Sequence, residues 1–172
     1  ATDATGNATS QTITVTVTDV TEGLFLQDTF DAPVNTNITA LTPVIGSAWL
    51  LHPSSNPSAP LRVDDGNRLY SPAAGLFYNP VAPGSADYFV EADFFRRGTL
   101  SSDRMGIAGR CSATEVSMYL LRWNETLGQF TLNTLVGTTL TQLGYYSTKI
   151  ATGTARRARL TMQGDQISVQ VD

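Results

Sequence analysis

Charged residues, lysine, histidine and cysteine are all scarce in this chain of 172 residues. Only 15% of the residues are charged, well below the globular average of about 25%. The net charge of −4 argues against a nucleic-acid partner, because a phosphate-binding face needs clustered Lys and Arg. No apolar run reaches membrane-spanning length, which argues against membrane insertion. The surface must therefore consist largely of Thr, Ser, Asn and Gln, which suits an extracellular β-protein.

The single cysteine and the single histidine exclude several kinds of site. Cys111 has no second cysteine to pair with, which excludes an intrachain disulfide and a thiolate metal cluster. Its apolar surroundings in "GIAGRCSA" predict a small, buried side chain. One histidine cannot build a histidine-rich metal site. His52 lies in a proline-containing segment and no G-x-S-x-G motif occurs, so we expect a loop role rather than a Ser-His-Asp relay.

Short alternating segments separated by turn residues follow one another from Leu61 onwards. They are "LRVDDGNRLYSP", "DYFVEADFF", "RMGIAGRC", "VSMYLLRWN", "QFTLNTLV", "TQLGYYST", "RRARLTMQ" and "QISVQVD". No helical period longer than about one turn interrupts them. The proline-rich "HPSSNPSAP" and "YNPVAPGSAD" are predicted as loops. This spacing predicts an all-β fold, an antiparallel sandwich or barrel.

Two hairpins are explicit in the sequence because Gly stands beside Asp at the turn. Asp65-Gly66 is predicted to join Leu61–Val63 to Arg68–Tyr70, and Gly164-Asp165 to join Leu160–Met162 to Ile167–Val169.

The segment "RRAR", residues 156–159, is the one local cluster of positive charge. In a strand, Arg157 and Arg159 share one face while Ala158 and Leu160 share the other. We interpret the arginines as a solvated strand face, with an anion site as the alternative.

The first twenty residues have a different pattern from the rest. Ile13, Val15 and Val17 alternate with threonines at period two, which is a strong strand signal. The composition changes at "TEGLFLQDTFDAP", so we place a domain boundary near Thr21 to Gly23. Residues 1–22 are predicted as a terminal strand plus linker, and residues 23–172 as the main sandwich. A lone strand is not stable, so its partners lie in the main domain or elsewhere.

The order "QDTFDAP", "GSAWLLHP", "GNRLYSP", "DYFVEADFF", "GIAGRC" resembles the concanavalin A-like, laminin-G-like jelly rolls of phage structural proteins and secreted bacterial surface proteins. The likeness runs from about Asp28 to Asp172 and is most specific in "YLLRWNETLGQFTL" followed by "RARLTMQGDQISVQVD". Residues 1–22 resemble the last strand of a cadherin-like or immunoglobulin-like repeat. The resemblance implies a jelly-roll sandwich truncated at both ends, on a virion or bacterial cell surface. Missing residues or a neighbouring chain should then cover the unpaired edge.

A pair of carboxylates in "DYFVEADFFRR" raises the question of catalysis. Glu91 and Asp93 stand on one face of the predicted strand. Laminarinases and lichenases, which belong to the wider jelly-roll superfamily, carry E-x-D-x-x-E, whose outer carboxylates act as nucleophile and acid/base about 5 Å apart. Here the third position is Arg96, which cannot protonate a leaving group. We therefore expect a strand without a catalytic role. Its opposite face, which carries Tyr88, Val90, Ala92 and Phe94, is expected to face the core.

A sugar-binding groove on a sandwich needs an aromatic platform and polar side chains for the hydroxyls. The segment "MYLLRWN" is apolar on both faces, which is typical of a central strand, and the loop "AGLFYNP" offers exposed aromatics. The candidate ligand-binding residues are Glu91, Asp93, Tyr119, Arg122, Trp123, Phe77 and Tyr78. The alternative for Tyr119 and Trp123 is a place in the core or under loops.

Calcium is the metal best suited to the oxygen-rich side chains of this sequence. The candidate ligands are Asp64 and Asp65 in "DDGN", and Asp28 and Asp31 in "DTFD". A tight hairpin turn explains "DDGN" equally well, and no other cofactor is expected.

Taken together, the sequence predicts a non-catalytic recognition or adhesion module, lectin-like and carbohydrate-binding, within a larger virion or cell-surface protein. Its expected partners are a glycan or cell-surface polysaccharide and neighbouring domains or chains of the same assembly, with no nucleic acid and no membrane insertion. The alternative is a structural domain that decorates a virion or serves as an assembly or spacer unit without a ligand. A glycoside hydrolase is more distant, because the acid/base is missing.

Overall fold

The structure, a computed structural model, describes residues 23–55, 59–70, 74–98 and 104–172. The strand predicted within residues 1–22 lies outside these ranges, and the domain boundary stays a prediction. Within them, one 3-10 turn at Ile38–Ala40 is the exception to a fold made of strands and loops. No helix in the described ranges is long and apolar enough to cross a membrane.

Eleven strands occur in the described residues. They are β1 (Leu50–Leu51), β2 (Arg62–Val63), β3 (Leu69–Tyr70), β4 (Phe77–Tyr78), β5 (Tyr88–Phe95), β6 (Arg104–Gly109), β7 (Ser117–Asn124), β8 (Gln129–Val136), β9 (Thr139–Ser147), β10 (Ala155–Gln163) and β11 (Gln166–Val171). The seven strands from β5 onwards coincide with the seven alternating segments between "DYFVEADFF" and "QISVQVD". The prediction of an all-β chain is confirmed.

Two antiparallel sheets face each other across the main core. One has the strand order β11-β10-β5 and the other the order β6-β7-β8-β9, while β1 pairs with β4 and β2 with β3. The core contains Phe94, Ala158 and Leu160 from the first sheet, Leu121, Trp123 and Phe130 from the second, and Ile150 from a loop. Side chains from both sheets thus share one apolar layer, as in a β-sandwich. The predicted sandwich is confirmed.

Aromatic rings fill the centre of this layer. The rings of Phe94 and Phe130 meet edge-on with centroids 5.1 Å apart, and Trp123 lies 5.1 Å from Phe130 at a tilt of 51°. Such pairs add about 0.5–1.5 kcal/mol each beyond the burial of their area. Ala92 packs against the same cluster, so the predicted core face of β5 is confirmed for Ala92 and Phe94.

Both predicted hairpins are present. In the β10–β11 hairpin, Gln163 pairs with Gln166 around the two-residue turn Gly164-Asp165, and Gly164 has φ +54. A side chain is disfavoured at that φ, which explains the glycine. In the β2–β3 hairpin, Val63 pairs with Leu69 around Asp64 to Arg68.

The side chain of Asp64 organises the β2–β3 turn from inside it. The residue is only 3% exposed. Its Oδ1 accepts hydrogen bonds from the backbone N–H groups of Gly66 (2.8 Å) and Arg68 (3.1 Å), and Oδ2 lies 3.1 Å from Arg68 Nε. Burial by itself raises the pKa of Asp64, but these hydrogen bonds outweigh it, so the pKa lies below the ordinary value of 3.8. The ionised carboxylate therefore stabilises the folded state.

We expect Asp64→Asn to lower the free energy of unfolding at neutral pH by about 1–3 kcal/mol. The variant should also lose less of this free energy than the wild type does when the pH is lowered. Because the folded pKa is depressed, the contribution of Asp64 is fully present above the unfolded pKa. It is lost as the pH falls through the lower folded value. Urea unfolding measured from pH 7 to below pH 4 tests this. Asp65→Asn, which changes an exposed neighbouring carboxylate, should keep the wild-type acid slope; a wild-type slope in Asp64→Asn would contradict the assignment.

A second, smaller apolar cluster is separate from the main core. Ile38, Leu41 and Val63 are its buried members. His52, only 1% exposed, ties the neighbouring loops together, since Nδ1 accepts from the Ser54 N–H at 3.2 Å and Nε2 lies 3.1 Å from the Ser112 carbonyl oxygen. His52 thus has a structural role in a loop.

The prediction that Cys111 is buried is wrong, because the side chain is exposed. The strand β6 ends at Gly109, and Arg110 adopts φ +50, which turns the chain out of the sheet before Cys111. The apolar alternation therefore stops before this residue.

Candidate functional site

The outer face of the three-stranded sheet carries a cluster of opposite charges. The register pairs Glu91 with Arg159 and Asp93 with Arg157 across β5 and β10. On the other side of β10, Gln170 pairs with Arg159. Side chains of directly opposed strand residues share a face, so β5, β10 and β11 build one polar surface. We call it the Arg–carboxylate face and define it by Glu91, Asp93, Arg157, Arg159, Gln170 and Asp172.

Asp93 is held in a two-point ion pair. Arg157 Nε donates to Oδ1 at 2.9 Å and Nη2 donates to Oδ2 at 3.1 Å. This hydrogen bonding from Arg157 lowers the pKa of Asp93 below its ordinary value. Both carboxylate oxygens of Asp93 are therefore engaged by the protein itself.

Glu91 is held differently, through one oxygen. Arg159 Nε donates to Oε2 at 2.7 Å, whereas Oε1 lies 3.9 Å from Arg157 Nε. The second distance is too long for a direct hydrogen bond. Oε1 of Glu91 can therefore accept a hydrogen bond from a bound molecule without breaking the pair with Arg159.

The guanidinium of Arg159 is fixed on a second side by an aromatic ring. Its Cζ lies 4.2 Å from the centroid of Phe89, a residue that is 39% exposed. Within about 6 Å this is an attractive cation–π contact. The ring and Glu91 together hold Arg159 in one position.

A shallow depression opens among these side chains. It has a volume of about 200 Å³ and is lined by Glu91, Arg157, Arg159, Gln170 and Asp172. Gln170 Nε2 donates to Asp172 Oδ1 at 3.3 Å, which continues the polar network to the end of β11. Hydrogen-bond donors and acceptors thus both border a small solvent-open hollow. This arrangement can bind hydroxyl groups.

Arg96, which occupies the third position of the hydrolase-like pattern, has a structural role. Its guanidinium forms an ion pair with Glu125, whose side chain is 8% exposed, and Nη1 donates to the Ile150 carbonyl oxygen at 3.1 Å. The arginine therefore joins the end of β5 to the β7–β8 turn. It offers no acid or base to Glu91 and Asp93.

Of the predicted groove residues, Glu91 and Asp93 lie together on the Arg–carboxylate face, whereas the other five lie elsewhere. Trp123 does not line a groove, because it is 1% exposed and lies in the main core against Phe130. This is the alternative position expected for it. Tyr119 packs against the same core. Arg122 alternates with them and lies opposite Gly106 and Thr131 in the four-stranded sheet. The strand is apolar on both faces because it is central, so its aromatic side chains fill the core and do not line a groove.

The two loop aromatics are also separate from the Arg–carboxylate face. They form β4, which pairs with β1. Phe77 packs against the smaller apolar cluster, and the Tyr78 ring stands edge-on to His52 at 5.8 Å. Both are half-buried packing residues, so the expectation of exposed loop aromatics is wrong.

Sequence reasoning missed part of the cluster. It placed Arg157 and Arg159 on one strand face, which the register confirms, but it did not join them to Glu91 and Asp93. Gln170 and Asp172 were not singled out. The signal that could have found them is charge complementarity between "VEAD" and "RRAR", two segments with matching period-two spacing.

The aspartates considered for calcium are engaged by protein donors. Asp28 accepts from Trp49 Nε1 at 2.7 Å and from the Phe30 N–H at 2.8 Å. Asp31 accepts from Asn67 Nδ2 at 3.2 Å, and Asp64 pairs with Arg68. Asp65 Oδ1 lies 3.7 Å from Nη2 of the same arginine. Across the described ranges, no group of three or more His, Cys, Asp or Glu side chains is placed to hold a metal ion.

Comparison with known proteins adds one structural relative. No family model matches the chain, and no curated protein matches it. A solved structure, the carbohydrate binding module CBM66 from Bacillus subtilis, matches with a TM-score of 0.57 and 11% sequence identity, over 72% of this chain and 73% of that one. The two proteins share a fold. The jelly-roll-like part of the resemblance is thus supported, while the laminin-G, phage and cadherin-like parts stay predictions.

Proposed function

We propose that this chain is a non-catalytic carbohydrate-binding module whose ligand contacts the Arg–carboxylate face. The observation that carries the proposal is the hollow on this face, in a sandwich similar in fold to CBM66. Charged donors and acceptors converge there on one open surface.

Sugar hydroxyls suit this hollow because each can donate one hydrogen bond and accept others. The guanidinium groups of Arg157 and Arg159 supply donors, and Glu91 Oε1 supplies an acceptor. Hydrogen bonds that involve a charged partner are about twice as strong as neutral ones. The ion pairs hold the side chains in place before a ligand arrives, which reduces the entropic cost of binding.

Catalysis is disfavoured by the partners of the two carboxylates. A retaining glycosidase needs one carboxyl group that gives up a proton and another that attacks. Here Asp93 is paired with Arg157, Glu91 with Arg159, and the third position is occupied by Arg96. Binding without turnover is the function that these groups support.

The proposed setting is extracellular, on a virion or a bacterial cell surface, as part of a larger protein. The support for this is compositional, since the chain is rich in threonine and poor in charge. Neighbouring domains or chains of the same assembly are the proposed protein partners.

A structural or assembly role is the second candidate, favoured by the strand β9. This strand lies at the edge of its sheet, and Leu143, Tyr145 and Tyr146 are 53–64% exposed along it. An exposed apolar edge is a surface on which another chain can pair.

A glycan array probed with the folded chain separates the two candidates. The proposal expects selective binding that persists in EDTA, because the Arg–carboxylate face needs no ion to form its hydrogen bonds. Heat-unfolded protein on the same array is the control. An array without selective binding by the folded chain would contradict the proposal and favour the structural role.

A further inference from the structure

We propose that the chain has a second sugar-binding site, in a cleft of the loop region between residues 28 and 44. The inference rests on the proposed function, since it extends carbohydrate binding to another surface. The cleft has a volume of about 470 Å³, which lies within the range of about 300–1,000 Å³ usual for small-molecule sites. Its lining includes Asp28, Asp31, Thr36, Leu41, Thr42 and Val44. We call it the Asp31 cleft.

Packing and hydrogen bonds hold the residues at the base of the Asp31 cleft in place. Leu41 is only 6% exposed and belongs to the smaller apolar cluster. Asp28 is fixed from two sides, by Trp49 Nε1 and by the Phe30 N–H. Phe30 itself adopts φ +53, an unusual conformation for a bulky residue. The packing of its ring against Trp49, with centroids 6.5 Å apart, holds it there.

The chemistry of the lining selects a neutral, hydroxyl-bearing ligand. Asp31, whose Oδ1 already accepts from Asn67, and the hydroxyls of Thr29 and Thr42 supply acceptors, and no Lys, Arg or His occurs among the described residues that line this cleft. The ligand must therefore bring donors, and an anionic sugar is repelled by Asp28 and Asp31. Leu41 and Val44 offer apolar contact, and Val44 is 64% exposed. A sugar ring presents both a hydroxyl edge and an apolar face, which matches this division.

The Asp31 cleft and the Arg–carboxylate face are separate sites with different electrostatics. They share no lining residue. The hollow of the Arg–carboxylate face is lined by two arginines, whereas no arginine is among the residues that line the Asp31 cleft. A protein with both binds two sugar units per chain. On a polysaccharide, two weak sites give a higher avidity than either alone.

The test is a two-dimensional NMR titration of the labelled chain with the methyl glycosides of neutral hexoses, namely glucose, galactose and mannose. The variant is Thr42→Trp, which places a large ring at an exposed position of the cleft. Thr139→Trp, at the exposed first residue of β9, is the matched control. We expect saturable shifts around residues 28–44 that Thr42→Trp weakens at least about tenfold, while Thr139→Trp has no effect. Melting curves confirm that both variants are folded.

The outcomes for the two proposals are distinguishable. Shifts around residues 28–44 that disappear in Thr42→Trp support the second site. Shifts confined to β5, β10 and β11 would overturn the second site and leave the proposed function intact. Shifts confined to the cleft would support the second site and contradict the placement of the first. An absence of saturable shifts anywhere would overturn both.

Discussion

Replacing Arg96 with alanine is expected to cost about 3–5 kcal/mol of folding free energy, because it leaves a buried carboxylate without its counter-charge. The side chain of Glu125 is 8% exposed, and Arg96 is its ion-pair partner. Oε2 of Glu125 has no hydrogen-bond partner among the described residues. Arg96 also donates to the carbonyl oxygens of Gly98 and Ile150. Denaturant unfolding at neutral pH measures the change.

Arg157→Ala is the matched control for this prediction. It also removes an arginine from an arginine–carboxylate pair, but both side chains of that pair are more than half exposed. Exposed ion pairs contribute little to stability because water and salt screen them. Adding Glu125→Gln to Arg96→Ala should recover part of the loss, since the uncompensated charge is gone. Equal stability of Arg96→Ala and Arg157→Ala would contradict the role assigned to the buried pair.

Glu91→Gln is expected to weaken glycan binding about 10- to 100-fold. The substitution keeps the size of the side chain but removes the charge that orients Arg159 and that strengthens the acceptor at Oε1. A hydrogen bond to a charged group contributes about 1.5–3 kcal/mol, and 1.4 kcal/mol is a factor of ten in affinity. Isothermal titration with the glycan selected on the array measures the effect.

Two comparisons sharpen this prediction. Asp165→Asn removes one negative charge from the exposed β10–β11 turn, outside the hollow, and should bind as the wild type does. Asp93→Asn should weaken binding less than Glu91→Gln, because both oxygens of Asp93 already face Arg157. Wild-type affinity in Glu91→Gln, with the fold intact, would exclude Glu91 from the site.

The strands were predictable because their signal is local. Period-two alternation and turn residues mark β5 to β11 without knowledge of any partner strand, and Gly164-Asp165 marks one hairpin directly. The short strands β1 and β4 gave no such signal. Each has two residues, and the segment between them along the chain contains the β2–β3 hairpin. Such pairings depend on tertiary packing and not on local pattern.

The Arg–carboxylate face was only half predictable. The sequence places Glu91 with Asp93, and Arg157 with Arg159, because residues two apart in a strand share a face. It does not reveal that β5 and β10 are neighbours in a register that joins the two pairs. That register is set by the core residues Ala92, Ala158 and Leu160 packing between the sheets, and a shift of one residue would separate the charges.

Trp123 shows the opposite limit of sequence reasoning. An aromatic residue in a strand with two apolar faces can line a groove or fill the core. The structure places it 1% exposed beside Phe130. The choice depends on which face meets the second sheet, and β7 alone does not determine this.

The most direct test of the carbohydrate-binding proposal is a crystal structure of the chain with the glycan selected on the array. We expect sugar hydroxyls within hydrogen-bond distance of Glu91 Oε1 and of the Arg159 guanidinium, in the hollow bordered by Gln170 and Asp172. A glycan bound only elsewhere, such as on the outer face of the four-stranded sheet near Tyr145, with the hollow still solvated, would contradict it.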